Sequence, residues 1–282
     1  MSIVTDQKAI KSIQIMPISG WEFPSPVEIW NFRELLFVMI KSYIKGKYRQ
    51  SALSTAYLFI QPLLSVGIFS FIFSRIAKID VGDIPYPLFS VVGVTSWNFF
   101  NRSLNDGSSS LVTMSPVLAK VYMPRLIVVL VSICLQLFEY LIAFSMVAVF
   151  FIYFGMSPSI KLLLLPLAIF ANIIFSMSIV LWLANLNVRF RDISMLLPGV
   201  IQILFYATPV VYPLAVVPEY LKWLFQLNPM TSVLEFMRYC LFENYPLPDM
   251  KYVLINTCVV IVLFVFGLII FNRYSKTIVD RL

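Results

Sequence analysis

Histidine is missing from this 282-residue chain, and charge is scarce: only 12% of its residues are Asp, Glu, Lys or Arg. Without imidazole there is no Ser–His nucleophile, no histidine acid or base and no histidine metal ligand. The three cysteines, Cys134, Cys240 and Cys258, have no metal-ligand spacing, so they read as inert packing residues and no metal site is expected. A phosphate-binding loop is also absent. Gly46-Lys47 is followed by Tyr48, and no glycine stands five residues before Gly46. If ATP is used, another chain must bind it. No two glycines stand four apart, which argues against a glycine-driven helix seam. There is no internal repeat, and no isolated apolar run near the start suggests a cleavable signal peptide.

What is abundant is apolar surface. Hydrophobic residues make up 60% of the chain, and soluble domains carry about twice its 12% of charged residues. A core of this size could not hide so much apolar area from water, so the chain is expected in a membrane. The net charge of +7 then reads as an inside-facing bias and an affinity for anionic headgroups. Nucleic acid is not an expected partner, because the basic residues are dispersed among apolar runs.

Runs of about 20 apolar residues predict six spans, near 53–75, 86–104, 125–154, 161–185, 193–212 and 251–271. With both termini in the cytosol, the inner segments 1–52, 102–125, 186–192 and 272–282 hold 15 of the 21 Lys and Arg residues. The block from Lys41 to Arg49 then anchors the first span inside. Gln61-Pro62 is expected to bend that span. Ahead of it, Ser25-Pro26-Val27-Glu28 is a capping box with proline at the first helical position. The following run, 27–45, places Asn31, Glu34, Lys41 and Lys45 on one stripe. It reads as an amphipathic helix in the cytosolic interface or packed on a partner protein. Prolines at 213, 218, 229, 246 and 248 break the segment 213–250. Two short helices are predicted there, 219–227 and 232–242, dipping into the outer leaflet. Ser232 with Glu235 is taken as a capping box, and Glu235 with Arg238 as a pair three residues apart.

Several motifs in order resemble the permease subunit of type-2 ABC exporters for cell-surface polysaccharides. They are Arg33-Glu34-Leu35-Leu36 leading to Lys47-Tyr48-Arg49-Gln50-Ser51 and Gln61-Pro62-Leu63; then Lys120-Val121-Tyr122-Met123-Pro124-Arg125; then Asn187-Val188-Arg189-Phe190-Arg191-Asp192-Ile193; and finally Thr208-Pro209-Val210-Val211-Tyr212 with Leu227-Asn228-Pro229-Met230. The likeness covers about 25–282, after a cytosolic extension at 1–24. Ser54 and Thr55 depart from it, where many such permeases carry glycine.

The resemblance implies an all-α polytopic protein of the inner membrane with six transmembrane helices, an N-terminal interface helix and short re-entrant helices on the outer side. It implies a second copy of the chain, two copies of an ATPase subunit that binds ATP and Mg, and a lipid-linked polysaccharide as cargo, O-antigen being the best match. The chain itself would be no enzyme and bind no cofactor. A coupling helix is implied at about 107–120, with Ser108, Ser109, Ser110, Ser115 and Pro116 meeting the ATPase. A polymer must slide, so aromatic faces suit its path. Tyr57, Phe59, Trp97, Phe100, Phe205 and Tyr206 are the candidates, with Tyr57 and Tyr206 favoured. Lys45, Lys47, Arg49, Arg189 and Arg191 are placed to meet a lipid phosphate at the cytosolic mouth. Glu139 is the clear acid within a span, read as a structural hydrogen bond or a substrate contact, with Gln136 or Asn172 as partner. Two alternatives stand beside this reading. An ion-coupled carrier would need more intramembrane charge. A membrane enzyme acting on lipid-linked sugars would need an acid cluster, for which only Asp80 with Asp83 and Glu243 with Asp249 offer pairs.

Overall fold

The computed structural model describes residues 23–49, 52–157 and 159–275, with the backbone alone at 52–55 and 275. Most of the extension 1–24, Gln50 and Ser51, and the end of the predicted cytosolic tail, 276–282, lie outside the described residues. So do the side chains of Ser54 and Thr55. The helices are α1 (Pro26–Asn31), α2 (Arg33–Tyr48), α3 (Ala52–Phe69), α4 (Tyr86–Thr113), α5 (Ser115–Leu118), α6 (Arg125–Tyr153), α7 (Leu165–Arg189), α8 (Ile193–Tyr206), α9 (Glu219–Gln226), α10 (Pro229–Leu241) and α11 (Met250–Ser275). Among the described residues there is no strand.

Among the described residues, four segments are long and apolar enough to cross a membrane: Ala56–Ile76, Arg125–Tyr153, Ile160–Arg189 and Met250–Tyr274. The first runs on as helix through Pro62 to Phe69, then widens into π-helical turns at Ser70–Ile76. The other two predicted spans take different forms. α4 has 28 residues, about 42 Å at 1.5 Å per residue, but it carries too many polar groups to stand in lipid alone. It is the centre of the bundle, packed by α3, α6, α7, α8 and α10. A helix wrapped by other helices need not be apolar, provided its polar groups are satisfied. α8 has only 14 residues, about 21 Å, shorter than the ~30 Å hydrocarbon core. The predicted span to 212 is not continuous helix, because Pro209 lacks the N–H that another turn would need.

Two predicted loops also shrink. The stretch 102–125 reads as a polar loop in the sequence because it holds Arg102, Asp106 and five serines. α4 instead continues to Thr113. The hydroxyls of Ser108 and Ser109 both donate to the Asn105 carbonyl at 3.0 Å, and Ser110 donates to Gly107 O at 2.7 Å. Polar side chains that fold back onto their own helix let it stay buried. Gly107 completes the fit: a Cβ there would lie 2.6 Å from Val180 Cγ1 of α7. Likewise 186–189 are the last residues of α7, leaving only 190–192 as a link.

The N-terminal cap forms as the sequence pattern predicts. Ser25 Oγ accepts the Glu28 amide at 3.4 Å, with Pro26 at the first helical position. The Glu28 carboxylate accepts from the Tyr122 hydroxyl at 3.5 Å. Leu35, Met39, Ile44 and Tyr48, at helical spacing, are the half-buried stripe of α2, and α2 packs along α6. The second box, Ser232 with Glu235, does not form. α10 starts earlier, where Asn228 Oδ1 accepts the Met230 amide at 3.0 Å and Pro229 takes the first position. Asn-Pro is the stronger start signal, because it supplies both the cap and the preset φ.

Candidate functional site

Glu139 on α6 carries a carboxylate buried in the bundle, 5% exposed. Its Oε1 accepts from Lys47 Nζ at 2.5 Å and from the Tyr48 hydroxyl at 2.6 Å, both at the end of α2. Its Oε2 accepts from Arg102 Nη1 of α4 at 2.7 Å. Arg102 also donates through Nη2 to Gln61 of α3, and its guanidinium lies 5.9 Å from the centre of the Tyr57 ring. One carboxylate thus joins α2, α4 and α6, with α3 attached through Arg102. Burial first, and then the Glu139 carboxylate it bonds, push the Tyr48 phenol well above its ordinary pKa, so it stays a donor. One turn away, Gln136 donates to Asp106 Oδ2 at 2.6 Å.

Neither expected partner of Glu139 is used. Gln136 turns to Asp106, and Asn172 donates to the Ser96 carbonyl at 3.3 Å. The helix-spaced stripes Asn98-Arg102-Asp106 and Ser132-Gln136-Glu139 carried the missed signal. Each is polar at spacings of three or four, on helices that prove to be neighbours.

A second polar joint lies at the far end of α4. Arg238 on α10 is 0% exposed. It donates to Glu235 Oε1 at 3.0 Å and to the Val210 carbonyl at 2.7 Å, and its guanidinium sits 3.8 Å over the Phe89 ring. The Tyr245 hydroxyl donates to both Glu235 oxygens, at 2.9 and 3.1 Å. The predicted Glu235–Arg238 pair therefore forms, buried rather than at the surface. Tyr86 donates to Val211 O, and Asn228 Nδ2 donates to Thr208 Oγ1 at 2.8 Å. The two proline motifs at 208–212 and 227–230 are thus cross-linked to each other and to α4. Asn228→Ala removes a helix cap and this bond together. We expect a loss of about 1–2 kcal/mol, read as a lower unfolding midpoint in detergent. A third asparagine works similarly at the opposite end. Asn187 donates to Ser108 O at 3.1 Å and accepts the Ser194 amide at 3.3 Å, tying α7, α4 and α8.

The predicted path aromatics divide sharply. Trp97 and Phe100 are buried, with Trp97 packing on Phe100 and Phe205 at 5.3 and 5.6 Å and Phe100 stacked on Phe175 at 5.2 Å. Phe59 and Phe205 are half-buried against this core. Tyr57 and Tyr206, at 55% and 64% exposed, stand on the outward faces of α3 and α8. Of the predicted phosphate-facing cations, Lys47 is engaged by Glu139, whereas Lys45, Arg49, Arg189 and Arg191 are exposed. Ser108 and Ser110 are buried within α4, while Ser115 and Pro116 open the short α5. The structure does not gather the predicted residues into one pocket. Among the described residues, no group of three His, Cys, Asp or Glu side chains could hold a metal ion.

An all-helical bundle with several apolar helices of membrane-crossing length, and charges buried against one another, defines a multi-pass membrane protein. The chain belongs to the ABC-2 type transporter family, which it matches over residues 34–242. It is 28% identical over 241 residues to an O-antigen export system permease protein RfbA of Klebsiella pneumoniae, covering 85% of this chain and 92% of the relative. An RfbA of the same description from Myxococcus xanthus is 25% identical over 238 residues, covering 84% of this chain and 90% of the relative.

Proposed function

We propose that the chain is the membrane subunit of an ATP-driven exporter that moves a lipid-linked polysaccharide, O-antigen above all, across the inner membrane. It works as a pair of copies with two ATPase subunits that bind ATP and Mg. The observation that carries this reading is likeness to O-antigen export permeases over about nine-tenths of their length. In this reading α4 and α8 complete six spans, with both termini in the cytosol. The irregular segment after α8 finishes the fifth crossing, sheltered by α4 and α10 as buried backbone in a membrane must be. α9 and α10 sit in the outer leaflet. α9 offers exposed Tyr220, Trp223 and Leu224 to the interface.

The exposed faces of α3 and α8 are the surfaces left to line a path between copies, and they carry Tyr57 and Tyr206. Lys45, Arg49, Arg189 and Arg191 remain for the lipid phosphate. α2 and the short α5 with Ser115 and Pro116 form the ATPase-facing surface. Ser109, half-buried in the last turns of α4, is set back from it. An ion-coupled carrier is disfavoured, because Glu139 already holds three donors and presents no open carboxylate.

The test is co-purification with the ATPase, followed by export in cells. Arg49→Ala and Tyr57→Ala should each leave the complex assembled and ATP hydrolysis intact. Each should reduce surface polysaccharide about tenfold, equivalent to ~1.4 kcal/mol at the slow step. Normal export in both variants would remove these residues from the path, and a chain that never binds the ATPase would end the proposal.

A further inference from the structure

Between α2, α4 and α6 lies a cavity of about 260 Å³. Most of its wall is apolar: Met39 and Ile44 from α2, Met114 next to α4, Val128 and Leu135 from α6. Three aromatic residues, Tyr43, Tyr48 and Phe138, also line it, and the rings of Tyr48 and Phe138 lie 6.3 Å apart. The charged residues in the wall are Lys47, Asp106 and Glu139, two carboxylates against one ammonium. Lys47 is bonded to Glu139 at 2.5 Å, and both Glu139 oxygens are occupied. Arg102 also bonds Glu139 but does not line the cavity. Asp106 stands apart from this cluster. Its Oδ2 accepts the Gln136 amide at 2.6 Å, and among the described residues it forms no ion pair. Asp106 is also an exposed residue, so a ligand can reach it.

We propose that this cavity binds a single-tailed amphiphile with an ammonium head, the head meeting Asp106 and the tail lying along the apolar wall. The head follows from charge. The wall carries one carboxylate more than it carries cations, and a half-enclosed site strengthens attraction beyond its value in open water. An ammonium donates a charge-assisted hydrogen bond to a carboxylate. Aromatic faces in the same wall favour a cation further. A carboxylate head would meet two like charges, with the one ammonium already engaged by Glu139. A hydroxyl head would gain nothing from the charge of Asp106. The tail follows from the size. The volume lies just under the range of drug-sized pockets, ~300–1,000 Å³. It suits one chain, not a two-tailed lipid.

The experiment uses purified protein in an uncharged detergent and a decylammonium analogue with a diazirine at the tail end. After irradiation, adducts are mapped by mass spectrometry. Adducts are expected on Met39, Met114 or Leu135. Unlabelled decylammonium should suppress them, with 1-decanol and decanoate at least about tenfold weaker (~1.4 kcal/mol). Asp106→Asn removes the charge but keeps an oxygen for Gln136. At unchanged unfolding temperature it should weaken decylammonium to about the level of 1-decanol, with 1-decanol itself unaltered. Leu135→Phe, which fills the wall, should abolish labelling even if Asp106→Asn misfolds. Equal competition by all three heads in the unaltered protein would show apolar partitioning and overturn the proposal. A preference for ammonium that survives Asp106→Asn would do the same, by placing the head elsewhere. So would adducts confined to outward residues such as Leu63 and Ile203, or no adduct at all. The measurement needs neither ATPase nor polysaccharide, so its failure is separate from failure of the export reading.

Discussion

Glu139→Ala is expected to destabilise the protein by about 3–5 kcal/mol, the cost of removing one partner from a buried charge cluster. The substitution leaves Lys47, Tyr48 and Arg102 aimed at an empty site. Only Lys47 has an easy escape, since its side chain is half exposed. Arg102 is held between α4 and α3 by Gln61 and must carry its charge unpaired. The effect should appear as a lower unfolding midpoint in detergent, and as α2 becoming sensitive to protease before the bundle melts. Lys47→Met makes the contrast. Arg102 and Tyr48 still satisfy the carboxylate, so that variant should lose at most about 1 kcal/mol. Equal losses in the two variants would show that Glu139 is not the joint between α2 and the bundle.

Gly93→Ala is expected to be the most damaging change of a single methyl in the chain. A Cβ at this position would lie 2.0 Å from the Val210 carbonyl oxygen and 3.0 Å from Arg238 Nη2. Neither can yield cheaply. The carbonyl is backbone, and it accepts the buried guanidinium. Either α4 or the segment 207–212 has to move, at about 3 kcal/mol or more, the upper end of overpacking costs. Arg238→Leu should cost a similar ~3–5 kcal/mol by leaving Glu235 buried with Tyr245 as its remaining donor. Burial, chiefly, holds the Tyr245 phenol above its ordinary pKa, so it stays a neutral donor, which does not replace the positive charge of the guanidinium. Because the two sites touch, their losses should not add, and the double variant should lose less than the sum. Additive losses, measured by chemical unfolding, would mean that the joint at Val210 is not shared.

The motifs that carried the family resemblance gain a physical meaning from these contacts. Asn228 and Thr208 belong to separate sequence motifs and meet at 2.8 Å. Asn187, from a third, reaches both α4 and α8. Each is a short polar side chain that satisfies a buried partner on another segment of the chain, a role glycine or alanine could not fill. The aromatic candidates were harder to sort. Trp97 and Tyr57 look equally suited to a sugar face in the sequence. Only packing separates them: the α4 ring is enclosed by Phe100 and Phe205, while the α3 ring faces outward.

Hydropathy and cap chemistry were enough to specify a membrane-embedded helical chain, most helix positions and the start of α1, because these depend on local composition and backbone geometry. The partners of Glu139, the burial of Arg238 and the helical character of 105–113 depended on which helices became neighbours. A run such as Asn105-Asp106-Gly107-Ser108 reads as loop while water is assumed around it. Once α6 and α7 enclose it, helix is the arrangement that satisfies its backbone polar groups within the chain itself, and the same residues become the centre of the bundle.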